Sequence, residues 1–313
     1  MASPIKRVVV TGGSGKAGRA VVRDLADHGY DVVNVDVVAP REQVAPLLTA
    51  DLTDFGETFE ALRGAHAVIH LAAIPAPRIR TVEQTFRINM SSTYNVFSAA
   101  ANLKLQRVVW ASSETVLGLP FGRRHGQNLL DDAAVPGHVD RPDYAPIDEA
   151  HPLRPHSSYS LSKLLGEEMA RQFARWTGIP FVGLRYSAIR EPADYAAFPD
   201  YWRDPHAGEW NLWSYVDARD VAQASRLALL APIDGADVFI IAAGDTVMDR
   251  PNRELVEECF PGLELRDGAG EHNSLLSSAK ARRVLGYAPA FSWREIILRS
   301  ATSDGARVAA ATR

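Results

Sequence analysis

Cysteine is almost absent: the chain of 313 residues carries one, Cys259. A single thiol excludes an intrachain disulfide framework and fits a reducing compartment, so a cytoplasmic location is expected. No excess of basic charge is present either. The formal net charge is -4 and the isoelectric point lies near 6.1, which leaves no basic footprint for nucleic acid. Long apolar runs are also missing. The opening MASPIKRVVVTGG holds an apolar stretch far too short for a secretory leader or a membrane span, so no membrane partner is expected. No metal-ligand set and no internal repeat are expected.

What is present is an alternation. Short β-branched or apolar runs at 5–10 (IKRVVV), 31–36 (DVVNVD), 47–52 (LLTADL), 66–73 (HAVIHLAA) and 106–113 (QRVVWASS) alternate with helical patterns at 16–28, up to Leu62, and at 82–102. Continuous apolar strands between helices predict an α/β fold with a parallel sheet covered on both faces and right-handed crossovers. A helix at 158–177, a strand at 179–187, a helix at 217–230 and a strand at 237–244 continue the pattern. Residues 119–156, rich in Pro, Gly, Asp and His, interrupt it. A connection of that length reads as a lid or as a surface insertion. Near the end, SSAKARRVLGYAPAFSWREIILRSA predicts two short helices around a turn at Gly286–Pro289.

The first strand runs into TGGSGKAGRA, with Gly12, Gly15 and Gly18 in a G-x-x-G-x-x-G spacing. In such a strand–turn–helix the first glycine permits a tight turn. The second lets backbone approach a pyrophosphate, and the third lets helix and sheet pack closely. The helix N-terminus, with Lys16 and Ala17, then offers free N–H groups to phosphate. Asp36 closes the second strand, where a carboxylate accepts from ribose hydroxyls and repels a 2′-phosphate, so NAD is the expected cofactor. Lys16, Arg19 and Arg41 are the cations that could argue for the phosphorylated form. Asp51 and Leu52 end the third strand, at the adenine edge or in a plain turn.

Ser112 and Ser113 end the fifth strand, at the sheet rim where ligands of parallel sheets bind. Tyr159 and Lys163 lie one turn apart on one helix face. A lysine ammonium and a cationic nicotinamide nearby would lower the phenol pKa from its usual value near 10. One of these serines, Tyr159 and Lys163 can then move a proton to or from a carbinol oxygen. The other reading is a coincidental helix pair.

The motifs TGGSGKAG, HLAA (70–73), Asn89 in RINMSSTYNV, SSETVLG (112–118), YSLSK (159–163), LRYS (184–187) and YVDARDVAQA (215–224) occur in this order. In this the chain resembles the extended short-chain dehydrogenases/reductases, the NAD-dependent epimerase/dehydratase family. The resemblance implies a Rossmann-type doubly wound sheet with a smaller C-terminal substrate-binding lobe. The NAD-binding domain is then 1–186, including the 119–156 insertion. The lobe is mainly 187–302, with 215–244 returning to the first domain, and 303–313 is a flexible tail. It also implies catalytic roles for Ser113, Tyr159 and Lys163. Leu71, Ala72 and Ala73 would line the nicotinamide ribose, and Asn89 would steady the active-site helix or a water. His70 reads as a packed strand residue and Ser112 as structural. Helices 82–102 and 158–177 imply a homodimer, although burial within one chain explains their apolar residues as well.

Departures from the family narrow the reaction. Ser187 follows LRY where nucleotide-sugar epimerases usually have asparagine, Trp213 stands where they place an arginine, and RDGAGE (266–271) replaces RPGD. Dehydratases read T-D-E where this chain has Ser113-Glu114-Thr115. The pattern R-x-S-x-x-x-E-P at 185–192 resembles uronate dehydrogenases, but Ala196 stands where that branch has an arginine. The expected activity is an NAD-dependent oxidoreductase acting on a sugar-like carbinol. The alternatives are a sugar or nucleotide-sugar epimerase and a dinucleotide-sensing regulator without chemistry. Glu114, Thr115, Ser187, Arg190 and Trp213 are the candidate substrate residues. Glu114 either meets substrate hydroxyls or serves a surface or capping role. The rings of Tyr195, Phe198, Tyr201, Trp202, Trp210 and Trp213 either stack on sugar or form a core.

Overall fold

The structure, a computed structural model, describes residues 4–77, 79–121 and 141–295. Residues 122–140 of the 119–156 insertion, most of the second of the two C-terminal helices and the 303–313 tail lie outside the described residues.

The first half alternates strand and helix. It comprises β1 (Arg7–Thr11), α1 (Lys16–Asp27), β2 (Asp31–Val35), β3 (Leu47–Leu48), α2 (Phe55–Leu62), β4 (Ala67–His70), α3 (Val82–Leu103) and β5 (Arg107–Ser113). The second half comprises α4 (Ser158–Thr177), β6 (Phe181–Tyr186), β7 (Ile189–Arg190), α5 (Phe198–Arg203), β8 (Val216–Asp217), α6 (Ala218–Leu230), β9 (Ala236–Ile241), α7 (Asn252–Cys259) and α8 (Ala279–Leu285). Seven strands form one sheet in the order β3-β2-β1-β4-β5-β6-β9, and every pairing in it is parallel. The order reverses between β1 and β4, which opens a crevice beyond their C-terminal ends.

Strand alternation decides which face each residue serves. Val8 and Val10 pack with Val21, Leu25, Val221 and Ala228 of α1 and α6. Val9 points the other way, toward Leu62, Val96, Phe97 and Phe173 of α2, α3 and α4. Phe97 sits edge-on to Trp110, Phe173 and Phe181. A third core fills the smaller lobe. It takes in Tyr195, Phe198, Trp213 and Tyr215, with Tyr201, Trp202 and Trp210 packed against it.

The helix starts differ in a way that bears on the site. Asp54, Thr81, Ser157 and Asp217 cap α2, α3, α4 and α6 with side-chain oxygens. Helix α1 begins at Gly15 with no side-chain cap and no acid in its first turn. Its leading N–H groups stay open to another acceptor.

Candidate active site

A cavity of about 1330 Å³ runs along the crevice. Small-molecule sites usually enclose about 300–1,000 Å³, so there is room for a dinucleotide and a small substrate together.

At one end the glycine turn leaves β1. Gly12 has φ +70, and a Cβ there would stand 2.6 Å from the Ala72 nitrogen. At Gly18 a Cβ would stand 2.1 Å from the Gly12 carbonyl oxygen. Both glycines are therefore required by the chain's own packing. Around Gly15 the only neighbour of an added Cβ is the Gly12 oxygen at 3.3 Å, and Gly15 lines the cavity. Bare backbone facing open space at an uncapped helix start is what a pyrophosphate needs.

Asp36 stands half-buried just past β2, accepting from the Ser14 N–H at 3.0 Å and the Val38 N–H at 3.1 Å. Those bonds leave carboxylate lone pairs for a ribose. Two of the three cations that could hold a 2′-phosphate are engaged elsewhere, and the third, Arg41, is exposed. Lys16 Nζ lies 2.5 Å from Asp194, and Arg19 lies 2.7 Å from Glu191 while donating to the Ser14 carbonyl. Ala17, Asp51, Leu52, Leu71, Ala72 and Ala73 also line the cavity. Asp51 is exposed, and its carboxylate accepts from the Thr53 N–H and hydroxyl, so it makes its own turn as well. Asn89 is not among the lining residues. Its amide holds Ile74 at both backbone N–H and carbonyl and reaches Ser162 at 3.4 Å. It positions the loop after β4 against α4 instead of facing the cavity.

At the other end Ser113, Glu114, Thr115, Tyr159, Lys163 and Ser187 meet on the cavity wall. The Ser113 hydroxyl faces the Tyr159 phenol closely enough to favour its phenolate. Ser113 also accepts from Thr115 at its N–H and its hydroxyl. Lys163 Nζ donates to the Ala111 carbonyl at 2.8 Å and lies 5.7 Å from the centre of the Tyr159 ring. A reciprocal Ser157–Ser160 capping box fixes the start of α4 that carries this pair.

The electrostatics differ from the expectation. Burial pushes the Tyr159 phenol up to about 12; the Ser113 hydrogen bond opposes this and the Glu114 charge adds to it. Lys163 contributes no lowering here; its ammonium donates to Ala111 and lies against the face of the ring, 5.7 Å from its centre. Burial lowers Lys163 itself to about 8.

Glu114 is buried and accepts from Ser187 at 2.7 Å and from Asn211 at 3.1 Å. Burial pushes it up to about 8, against those two bonds, the Arg190 charge and a bond from the Ala188 backbone. It is thus neither a surface residue nor a helix cap. His70 is buried, bonded to Thr11 and Thr93, and lowered to about 3 by desolvation and then by Lys163. It is a neutral, packed strand residue. Ser112 donates to buried Glu167, which also holds both forks of Arg185.

Two candidate substrate residues fall elsewhere. Trp213 is fully buried in the small-lobe core, its indole N–H satisfied by the Pro205 carbonyl. Arg190 does not line the cavity; its guanidinium reaches Tyr201 at 3.3 Å. Of the aromatic segment, Trp210 alone reaches the cavity wall and the rest is core. Sequence reasoning passed over Asn211, whose only signal is its place in that segment. His206, Glu209 and Cys259 bring one donor atom each within 4.8 Å. Burial and Glu209 push the Cys259 thiol up to about 12, which leaves it a poor nucleophile.

The family model described as "NAD dependent epimerase/dehydratase family" matches residues 8–242. L-arabinose 1-dehydrogenase (NAD(P)(+)) of Haloferax volcanii is 32% identical over 181 residues, 57% of this chain and 65% of that one. Uronate dehydrogenase of Pseudomonas syringae pv. tomato is 25% identical over 260 residues, 76% of this chain and 85% of that one. UDP-glucose 4-epimerase of Corynebacterium glutamicum is 26% identical over 320 residues, 90% of this chain and 91% of that one. Other curated relatives are matched over less of their length, and the chain spans 47% and 55% of two of them. A short-chain dehydrogenase/reductase superfamily protein from Agrobacterium tumefaciens, solved with bound NAD, superposes with a TM-score of 0.69 at 24% identity. It covers 98% of this chain and 99% of its own, and that likeness speaks to the fold.

Proposed function

The chain belongs to the NAD-dependent epimerase/dehydratase family, and from that premise we propose that it is an NAD-dependent oxidoreductase acting on a sugar-like carbinol. The observation that carries this reading is the convergence of Tyr159, Ser113 and Lys163 on a cavity that begins at an uncapped glycine turn. NAD+ supplies a two-electron hydride acceptor when bound.

The chain's own groups handle the proton and the position. Ser113 holds the carbinol oxygen, and the Tyr159 oxygen takes the O–H proton as the carbonyl forms. The reverse direction returns that proton. For oxidation Tyr159 must start as phenolate, and burial alone opposes that. A positive charge arriving in the cleft favours the phenolate. Lys163 holds the rim of β5 through Ala111. Asn89 and the α4 capping box fix the walls. Asp36 supports NAD over its 2′-phosphorylated form.

The test is to incubate the full chain with NAD+ or NADP+ and a panel of sugars and sugar derivatives, following reduced nicotinamide. NADH formation with at least one sugar is expected, and NAD+ is preferred. No reduced cofactor with any of them, together with NAD carried through purification, would support the epimerase reading. The Lys16–Asp194 and Arg19–Glu191 pairs join the phosphate turn to the smaller lobe.

The quaternary state belongs to the same proposal. Helices α3 and α4 pack on each other and expose Tyr94, Leu161 and Trp176. Two such faces would bury these rings in a homodimer. Light scattering is expected to give twice the chain mass, and Trp176→Glu with Tyr94→Glu is expected to return it to one. No helix among the described residues is long and apolar enough to cross a membrane, which is compatible with the cytoplasmic location we propose.

A further inference from the structure

Glu114 follows Ser113 directly, so a carbinol held by Ser113 and Tyr159 lies against it. Its carboxyl group is fixed from two sides. Ser187 beyond β6 donates to Oε2 and Asn211 of the smaller lobe donates to Oε1. A carboxylate offers about four acceptor positions, so capacity remains for a ligand in the cavity that Glu114 lines.

Cations are scarce at this end. Among the described residues lining the cavity the only ones are Lys16 and Lys163. Lys16 is paired with Asp194, and Lys163 is bonded to Ala111 beneath the Tyr159 ring. Arg190 is the one arginine whose charge Glu114 feels, and it also acts on Asp194, but it stands outside the lining. A substrate carboxylate or phosphate would therefore meet that carboxyl group with no arginine on the described cavity wall to contact it directly.

We propose that Glu114 is a specificity-determining residue that accepts a hydroxyl of an uncharged polyhydroxy substrate and excludes sugar acids and sugar phosphates from the catalytic end of the cavity. This rests on the oxidoreductase reading above. The chain then differs in substrate charge from the uronate dehydrogenase it resembles. The Glu114 carboxyl faces Tyr159 from α4 and Arg190 from β7. Burial raises its pKa to about 8, so its charge, and with it the exclusion, grows as pH rises through that value. Below it the neutral acid can sit beside an anion. Like charges about 5 Å apart at an effective dielectric of about 20 weaken binding by about a hundredfold.

The experiment compares an aldose, its uronate and its 6-phosphate on the full chain, wild type and Glu114→Gln, at about pH 6.5 and about pH 9. Turnover is read from NADH, and binding is read by calorimetry on the NADH-loaded protein. In the wild type the aldose is expected to bind about a hundredfold better than the uronate at the higher pH and less than about tenfold better at the lower. In Glu114→Gln the ratio is expected to be small and to keep only the pH dependence that Lys163, lowered to about 8, contributes in both proteins. Tyr159, Lys163 and Arg190 are present in both proteins, so the comparison subtracts their contributions. Equal binding of aldose and uronate by the wild type at the higher pH overturns the proposal. So does a ratio that Glu114→Gln leaves unchanged. Charge-selective binding without turnover overturns the oxidoreductase reading and keeps the role of Glu114. No binding of any of the three overturns both.

Discussion

Tyr159→Phe is expected to lower turnover by about a thousandfold while leaving NAD+ affinity within a few-fold of wild type. The substitution removes one oxygen and keeps the ring. A positioned acid/base contributes roughly 10²–10⁴ to rate, and no other described residue can replace it. His70 is lowered to about 3 and bonded away from the cavity. Lys163 is bonded to Ala111. Glu114 is turned to Ser187 and Asn211, its hydrogen-bond partners. The buried ring should also leave the fold intact, because the phenol's partner Ser113 keeps the Thr115 hydroxyl. The wild-type pH profile carries the same argument. Burial raises Tyr159 to about 12, so the oxidation rate should climb with pH until the phenolate forms, and the climb should vanish in the variant. The comparison is steady-state kinetics beside calorimetric NAD+ titration. Undiminished turnover would remove Tyr159 from the chemistry.

The second large effect concerns stability. Arg185 and Glu167 form an ion pair whose side chains are 2% and 0% exposed. Arg185 donates from Nε and Nη2 to the two carboxylate oxygens at 2.9 and 2.8 Å, and Ser112 donates to the same group at 2.6 Å. The cluster joins β5, β6 and the helix that carries Tyr159. Removing one partner leaves a buried charge uncompensated, which costs about 3–5 kcal/mol. Arg185→Met alone should therefore lower the urea midpoint sharply. Arg185→Met with Glu167→Leu should recover most of the loss, since apolar replacement of a whole buried pair is often neutral. A single variant that unfolds like the wild type would contradict the burial on which this rests.

The sheet was legible because each strand is a local run of β-branched or apolar residues and each helix a local period. The α4 bounds match the expected 158–177, and β1, β2, β4, β5, β6 and β9 fall within about two residues of expectation at most ends. The third strand is shorter than expected, at two residues, because Ala50 and Asp51 turn away to form the Asp51–Thr53 turn. The two-residue pairing of β7 with β8 has no period to read. Gly12 and Asp36 were readable from spacing and the Tyr159–Lys163 pair from its helical period, whereas the choice of Ser113 over Ser112 needed the family resemblance. The environment of Glu114 was not, since its donors lie 73 and 97 positions away. Trp213 shows the converse: an aromatic among aromatics has the same sequence signature in a core as on a sugar platform, and burial alone separates the two. The direction of the Tyr159 shift also depends on burial that no local pattern records.

Lys16 and Arg19 are partners to Asp194 and Glu191 across 178 and 172 positions of chain. A pyrophosphate arriving at the turn would compete with Asp194 for the same ammonium. The lobe around Asp194 therefore feels the dinucleotide before any sugar is present. By thermodynamic reciprocity, any lobe posture that a sugar favours alters dinucleotide affinity by the same factor. The two ligands of this cavity need not touch to report on one another.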